Sequence, residues 1–432
     1  MGMKFYSTKN NAARFGFEDA VKSGMAPDGG LFMPERIQKL PSDFWRTFDK
    51  KSFQELAVDI ALHFLTDSIS ISDLRKIIER AIVFDAPLIR IEAKVYALEL
   101  FHGPTLAFKD FGARFLAAVV GYFAETKKEE VTVLVATSGD TGSAVAHGFY
   151  KIPGVQVIVL YPSGKVSDLQ EKQFTTLGEN ITALEVDGTF DDCQRLVKEA
   201  FADADIRSGL TLTSANSINI ARLLPQMFYY FRAFQQVPLA ERGDVVVSVP
   251  SGNFGNLTAG LMAKMMGLPI QKFVAATNVN DVVPKYLQNG DFSPTQSLTT
   301  ISNAMDVGNP SNFFRMTDLY DFEELKELVM GHSFTDEETE QAMRKVFVRS
   351  HYTMDPHGAV AYLGVKKFLE THPQSTGIFL ETAHPGKFKE VVEKSIEEKL
   401  KLPPALLALV EKKKIAEKIS GKFSDLKRYL LK

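Results

Sequence analysis

Short β-rich runs alternate with longer helical patterns through the middle of the chain. Residues 131–135 precede a glycine-containing turn and an alanine-rich stretch, and residues 155–160 repeat the strand pattern. Residues 245–249 and 272–277 continue the series, with a helical pattern between them. Strand–helix alternation at this spacing is typical of a largely parallel sheet covered by helices. The sequence therefore predicts an α/β fold.

The length of 432 residues predicts more than one domain, because a single hydrophobic core rarely grows that large. The first hundred residues contain few β-rich runs and several helical patterns. We therefore expect a mainly helical N-terminal lobe over 1–100, a first α/β domain over 101–225 and a second α/β domain over 226–432. The tail of the second domain is rich in Leu and Lys, and we expect it to be a solvated helix that includes residues 411–414.

Charge and composition exclude several classes of protein. The 50 basic residues are balanced by 53 acids, so no general nucleic-acid surface is expected. Cys193 is the only cysteine, which excludes a disulfide within the chain and a cysteine-based zinc site. The histidines are scattered, and we expect no metal site. The longest nearly apolar run, 115–124, is too short to span a membrane. We expect a cytoplasmic monomer or homodimer.

Two glycine loops each follow a predicted strand and precede a predicted helix. Residues 137–142 read TSGDTG, and residues 251–256 read SGNFGN. Glycine allows the tight turn, and the first N–H groups of the following helix have no partner within the helix. Such a loop binds a phosphate or a carboxylate through backbone donors. The alternative is that Gly and Ser serve only the turn and the helix cap.

Lys109 lies in an unusually aromatic and apolar segment, residues 101–112. Burying an ammonium group is costly, so Asp110 is a candidate partner, and an extended side chain that reaches solvent is another alternative. The functional alternative is a lysine whose pKa is lowered by burial, which leaves a neutral amine able to form a Schiff base. A Schiff-base lysine together with anion-binding loops is what pyridoxal phosphate requires.

The segment HGPTLAFKDFG at 102–112 resembles the cofactor-lysine motif of the threonine synthase family, in its bacterial and fungal form. That family consists of pyridoxal-phosphate enzymes of fold type II, and the resemblance implies the tryptophan synthase β-like arrangement of two parallel-sheet α/β domains. Further resembling segments lie in the expected order: PDGGLF at 27–32, TSGDTG at 137–142, SANSINIARLLPQ at 214–226, VPSGNFGNLTAG at 249–260, NAMDVGNPSN at 303–312 and ETAHPGKF at 381–388.

The resemblance implies a role for particular residues of this chain. Lys109 forms the Schiff base and then moves protons, Thr382 faces the pyridine nitrogen, and Asp140 contacts the 3′-oxygen of the cofactor. The backbone of Gly252, Asn253, Phe254 and Gly255 holds the cofactor phosphate. Ser138 and Thr141 bind the substrate carboxylate, and Asn216, Ser217 and Arg222 bind the substrate phosphate.

Ser217 and Arg222 also have structural alternatives. A long helix is expected to begin near Ile218, and Ser217 is a plausible N-cap for it. Arg222 lies one turn further on, where its side chain would lean back toward a phosphate at the helix N-terminus. A surface ion pair is the alternative for Arg222.

The implied reaction converts O-phospho-L-homoserine and water into L-threonine and phosphate. A related phospholyase or dehydratase that releases a keto acid is the nearest alternative. A protein that binds pyridoxal phosphate without catalysis is the alternative from a different class.

Overall fold

The computed structural model describes residues 2–137 and 139–432. Its strands form a three-stranded, a six-stranded and a five-stranded sheet. Within the described residues, no helix combines the length and apolarity needed to cross a bilayer.

The elements are numbered in chain order. The strands are β1 Phe5–Ser7, β2 Asn10–Phe15, β3 Phe32–Pro34, β4 Leu88–Glu92, β5 Val95–Glu99, β6 Val131–Ala136, β7 Val155–Pro162, β8 Ile181–Asp187, β9 Thr211–Ser214, β10 Val245–Pro250, β11 Lys272–Thr277, β12 Val329–Ser333, β13 Thr376–Glu381 and β14 Glu417–Ser420. The α-helices are α1 Phe17–Ser23, α2 Ser42–Thr47, α3 Phe53–Leu65, α4 Ile71–Ala81, α5 Lys109–Lys127, α6 Asp140–Phe149, α7 Asp168–Thr175, α8 Phe190–Ala202, α9 Ala204–Gly209, α10 Ile220–Leu223, α11 Gln226–Gln236, α12 Gly255–Met265, α13 Val282–Asn289, α14 Phe313–Leu319, α15 Phe322–Leu328, α16 Asp336–Ser350, α17 Pro356–Thr371, α18 Lys389–Ile396, α19 Pro404–Val410 and α20 Phe423–Leu430. The 3₁₀ turns are Phe48–Lys50, Leu239–Glu241, Asn303–Met305 and Pro385–Phe388.

The two larger sheets are largely parallel and their inner strands are mostly buried, as the sequence alternation predicts. The five-stranded sheet has the order β14-β8-β7-β6-β9, and all its pairs are parallel. The six-stranded sheet has the order β12-β11-β10-β13-β5-β4, and only its β4–β5 pair is antiparallel. Every residue of β10 and β13 is buried, which fits their position at the centre of the sheet.

Strand pairing does not follow the three continuous ranges that the sequence suggests. β4 and β5, which lie within residues 1–100, pair into the six-stranded sheet through β13. β14, near the end of the chain, pairs with β8 in the five-stranded sheet. The N-terminal segment also has its own small antiparallel sheet, β2-β1-β3. These pairings join residues far apart in sequence, and local patterns do not report them.

The expected long helix from Ile218 is wrong, because two shorter helices, α10 and α11, occupy this region. Asn219, rather than Ser217, caps the first of them, since its side chain accepts a hydrogen bond from Ala221 N. Pro225 then separates the two helices, because it lacks an N–H to continue the first one.

The helix expected at 411–414 is also wrong, although the segment is exposed to solvent as expected. This segment lies between α19 and β14 and is not helical. Lys414 instead forms ion pairs with Glu171, at 2.5 Å, and with Glu185, at 2.8 Å. The tail is therefore fastened to α7 and β8.

Helix α17 packs closely on the six-stranded sheet at Gly364. A methyl group added there would lie 2.5 Å from Ser248 Oγ and 3.0 Å from Ala276 Cβ. We predict that Gly364→Val lowers the free energy of unfolding by about 2–3 kcal/mol, because overpacking displaces the sheet. Urea unfolding measures this. Gly243→Val is the control, since no atom lies within 4 Å of an added methyl group there. Equal stability of the two variants would contradict the prediction.

Candidate functional site

The segment before Lys109 is tied to the segment that follows β13. Phe108 N donates to Thr382 O at 2.8 Å, and His384 N donates to Leu106 O at 3.0 Å. An antiparallel bridge joins the residues between these two bonds. Because α5 begins at Lys109, these bonds fix its side chain beside the carboxyl end of β13.

Asp110 is not the partner of Lys109, contrary to one of the sequence alternatives. Its carboxylate accepts from Thr105 N at 2.8 Å and from Thr105 Oγ1 at 2.7 Å. Lys109 is half-buried as a residue, and no hydrogen bond or ion pair joins its amine to another described residue. Burial raises the pKa of Asp110 to about 6, although the bonds to Thr105 oppose this shift.

Several charges surround the Lys109 amine. Burial lowers its pKa, and the neighbouring Asp140 carboxylate partly offsets this shift. The cations Lys387 and Arg222 lower the pKa of Lys109 further. These effects shift the equilibrium of Lys109 toward the neutral amine, which is the form that attacks a carbonyl carbon or accepts a proton.

Asp140 begins α6 and is held in a buried ion pair. Lys387 Nζ lies 2.6 Å from Asp140 Oδ1, and Gln170 Nε2 donates to the same oxygen at 3.0 Å. Burial would raise the pKa of Asp140, but Lys387 and Lys109 overcome this effect and lower it. Sequence reasoning assigned no role to Lys387 or Gln170. Lys387 lies in the ETAHPGKF segment at 381–388, whose resemblance to the family indicates that its residues belong to the site.

The loop between β6 and α6 is organised by Thr137. Its hydroxyl accepts hydrogen bonds from Gly139 N at 3.0 Å and from Gly142 N at 2.8 Å. Thr141 is half-buried in the first turn of α6. Ser138, which the sequence assigns to the substrate carboxylate, lies outside the described residues.

The second glycine loop leads into α12. Phe254 has a φ of 60° and stands directly before the helix, whose first residue is Gly255. Gly252 packs against another part of the backbone, since an added methyl group would lie 2.7 Å from Met305 Cα. The N-terminal N–H groups of α12 thus open onto this loop, as an anion site requires.

Asn253 connects this loop with the other predicted phosphate segment. Its Nδ2 donates to Ser217 Oγ at 2.7 Å, and its Oδ1 accepts from Ser311 N at 2.6 Å. Asn216, next to Ser217, is half-buried. The residues assigned to the two phosphoryl groups are therefore adjacent.

Arg222 is buried, so the surface ion pair considered from the sequence is wrong. Its Nη1 donates to Ala215 O at 2.6 Å, whereas its Nε is buried with no partner among the described residues. Burial lowers its pKa to about 10, and Asp110 opposes this shift. A buried guanidinium with an unused donor is suited to binding an anion.

A second buried arginine, Arg315, supports these loops and was missed in the sequence. It donates to Phe32 O, to Ile218 O at 2.7 Å and to Asn312 Oδ1 at 2.8 Å. Because arginine only donates hydrogen bonds, the Asn312 atom that faces Arg315 is the oxygen Oδ1, and the amide nitrogen Nδ2 points away from it. This atom is buried without a partner among the described residues, and a methyl group added at Gly255 would lie 3.3 Å from it.

Thr382 and Glu381 end β13 with different surroundings. Thr382 is 6% exposed, and its hydroxyl makes no hydrogen bond within the described part of the chain. Glu381 is fully buried and accepts from Asp355 N at 3.4 Å. Burial and the neighbouring Asp355 raise the pKa of Glu381 well above its ordinary value.

The residues at this site fit pyridoxal phosphate. That group requires an amine for its aldehyde and anion donors for its phosphate. Lys109 supplies an amine whose pKa is lowered by burial. The N-terminus of α12 supplies backbone donors, and the unused buried donors of Arg222 and Asn312 show that polar groups near it lack partners in the described chain.

Comparison with known proteins agrees with this fit. A family model described as pyridoxal-phosphate dependent enzyme matches residues 80–380, so the chain is an enzyme of that class, with the fold-type II α/β architecture. Models described as threonine synthase N terminus and as threonine synthase, C-terminal, match residues 4–82 and 358–430. The chain belongs to the threonine synthase family.

Individual relatives resemble the chain along its whole length. It is 46% identical over 431 residues to threonine synthase of Escherichia coli (strain K12), with 99% of both sequences covered. A crystal structure of threonine synthase from Escherichia coli matches with a TM-score of 0.92 at 45% identity. The structure of PLP-bound threonine synthase from Brucella melitensis matches with a TM-score of 0.93 at 32% identity. Each structural match covers 99% of both chains.

The raised pKa of Asp110 predicts a pH dependence of stability. The folded protein holds this proton up to about pH 6, whereas the unfolded chain releases it near the ordinary value of 3.8. Asp110 therefore favours folding less as the pH rises between these values. We predict that wild type loses about 2 kcal/mol of unfolding free energy relative to Asp110→Asn between pH 4 and pH 6. Urea unfolding at several pH values tests this, and a constant difference would contradict it.

Proposed function

We propose that this chain converts O-phospho-L-homoserine and water into L-threonine and phosphate. The observation that carries the proposal is the buried Arg222, whose Nε has no partner among the described residues, in the segment that holds Asn216 and Ser217. A leaving phosphate needs its charge stabilised as it departs. Dehydratases act on a hydroxyl leaving group and have no need of such a guanidinium.

Bound pyridoxal phosphate supplies an electron sink for the substrate carbons. The Lys109 amine binds the cofactor and, once displaced by the substrate amine, takes the proton from the α-carbon. It then moves protons between the neighbouring carbons, so that phosphate leaves the γ-carbon and water adds to the β-carbon. The lowered pKa of Lys109 supports this role, since the amine must be neutral to accept a proton.

The other residues of the site bind and orient the cofactor and the substrate. Thr382 faces the ring nitrogen with a hydroxyl, which cannot keep the ring protonated as a carboxylate would. Asp140 contacts the 3′-oxygen, and Ser138 and Thr141 bind the substrate carboxylate. The backbone of Gly252, Asn253, Phe254 and Gly255 holds the cofactor phosphate, and Asn216, Ser217 and Arg222 hold the substrate phosphate.

Lys109→Ala tests the first step. We predict that sodium borohydride attaches the cofactor to Lys109 in the wild type, and that the variant shows neither the adduct nor turnover. Peptide mass spectrometry locates the adduct. Lys127→Ala, at the exposed end of the same helix, is the matched control and should behave as wild type. An adduct on another lysine, or turnover by Lys109→Ala, would refute the mechanism.

Product analysis separates the alternatives. Threonine and phosphate support the proposal, whereas a keto acid and ammonia indicate the phospholyase or dehydratase. A protein that binds the cofactor and releases no phosphate is a non-catalytic carrier. The expected cytoplasmic location and the monomeric or homodimeric state stay predictions.

Arg222→Met tests the phosphate site. We predict a rise in KM for O-phospho-L-homoserine of about 10- to 100-fold, the effect of losing a hydrogen bond to a charged group. Inhibition by L-threonine, which has no phosphate, should change less than about twofold, since Met keeps the site packed. Steady-state kinetics measure both, and Arg75→Met, on the exposed face of α4, is the control. Equal weakening of both ligands would contradict the assignment.

A further inference from the structure

Lys387 and Asp140 form a buried ion pair that joins the two large sheets. Asp140 begins α6, which follows β6 of the five-stranded sheet, and Lys387 lies in the turn after β13 of the six-stranded sheet. Their charged atoms are 2.6 Å apart, and their side chains are only 1% and 7% exposed. Buried ion pairs seldom add stability, because desolvation offsets the attraction between the charges. A contribution to stability therefore does not explain why these two charges are buried together.

Further hydrogen bonds fix the pair in position. Lys387 Nζ also donates to Thr105 O at 2.8 Å, in the loop that leads to Lys109. Gln170 Nε2 donates to Asp140 Oδ1 at 3.0 Å, from α7. The Lys387 ion pair and the Gln170 hydrogen bond both involve Asp140 Oδ1, so Asp140 Oδ2 makes no hydrogen bond to the described residues.

The groups that face this pair come from several elements. Lys109, at the start of α5, is influenced by Asp140, by Lys387 and by Arg222 of α10. Lys387 is in turn within electrostatic range of Asp110, His147 and His384. The charge of Asp140 thus raises the pKa of Lys109 and favours its ammonium form, and Lys387 is the cation paired with Asp140.

We propose that Lys387 is a positioning residue that holds the Asp140 carboxylate and balances its charge, so that Lys109 stays beside a neutral pair. A bare carboxylate near an amine favours the ammonium form. The ammonium form neither attacks an aldehyde nor accepts a proton. This inference rests on the proposed role of Lys109, and it adds a residue that the proposed function does not use.

The test is the pH midpoint of Lys109 reactivity. The full-length protein, stripped of cofactor, is exposed to a trace of acetic anhydride over a pH series, and mass spectrometry follows each lysine. We expect Lys387→Met to raise the midpoint of Lys109 by about one pH unit or more, because Asp140 is left unbalanced. Asp140→Asn should lower it, because Lys387 is then unbalanced. The double variant should return within about 0.3 units of wild type.

Opposite shifts distinguish charge balance from disruption. A merely structural role predicts shifts of the same sign in both single variants, and this result, or no shift, would overturn the inference. Lys387→Arg keeps the charge and should keep the midpoint. Lys389→Met, which removes the neighbouring and more exposed lysine, is the matched control. If Lys387→Met does not fold, Lys387→Gln takes its place, since it also removes the charge; an unchanged or lowered midpoint in that variant contradicts the inference.

Failure of this inference is distinguishable from failure of the proposed function. A borohydride adduct on Lys109 together with unchanged midpoints removes only the role of Lys387. An adduct on a different lysine removes the proposed function itself.

Discussion

Burial of the Lys109 amine without a directly bonded acid is the constraint on which the rest of the site depends. Desolvation favours the uncharged amine, and only that form is nucleophilic. Asp110, the next residue in the chain, accepts from Thr105, and Asp140, the acid that influences Lys109, is paired with Lys387. The charge of Asp140 is therefore balanced by Lys387 before any ligand binds.

The two parallel sheets make this arrangement possible because side chains beyond their carboxyl ends meet. One sheet contributes Asp140, and the other contributes Thr382, Lys387 and the loop before α12. The bonds between Leu106–Phe108 and the end of β13 then bring Lys109 to the same place. Ligands of open α/β sheets collect at this edge for the same geometric reason.

The parts of this site that were predictable from the sequence are the local ones. A glycine loop between a strand and a helix is recognisable because turn and cap preferences act over a few residues. Asp110 is a reasonable partner for Lys109 from the sequence, yet its carboxylate accepts from the backbone N–H and the hydroxyl of Thr105. The burial of Arg222 and its contact with Ala215 depend on tertiary packing. Lys387 donates to Thr105, which lies 282 residues earlier in the chain, and no local sequence pattern predicts a contact over that separation.

The late strand β14 has a consequence for synthesis of the protein. It covers the edge of β8, yet more than two hundred residues separate the two strands in the chain. During translation that edge stays open until the ribosome has made nearly the whole polypeptide, and an open edge invites pairing with other chains. Chaperone protection of the nascent chain is thus most needed late, and a chain released early would expose its unfinished sheet to quality control.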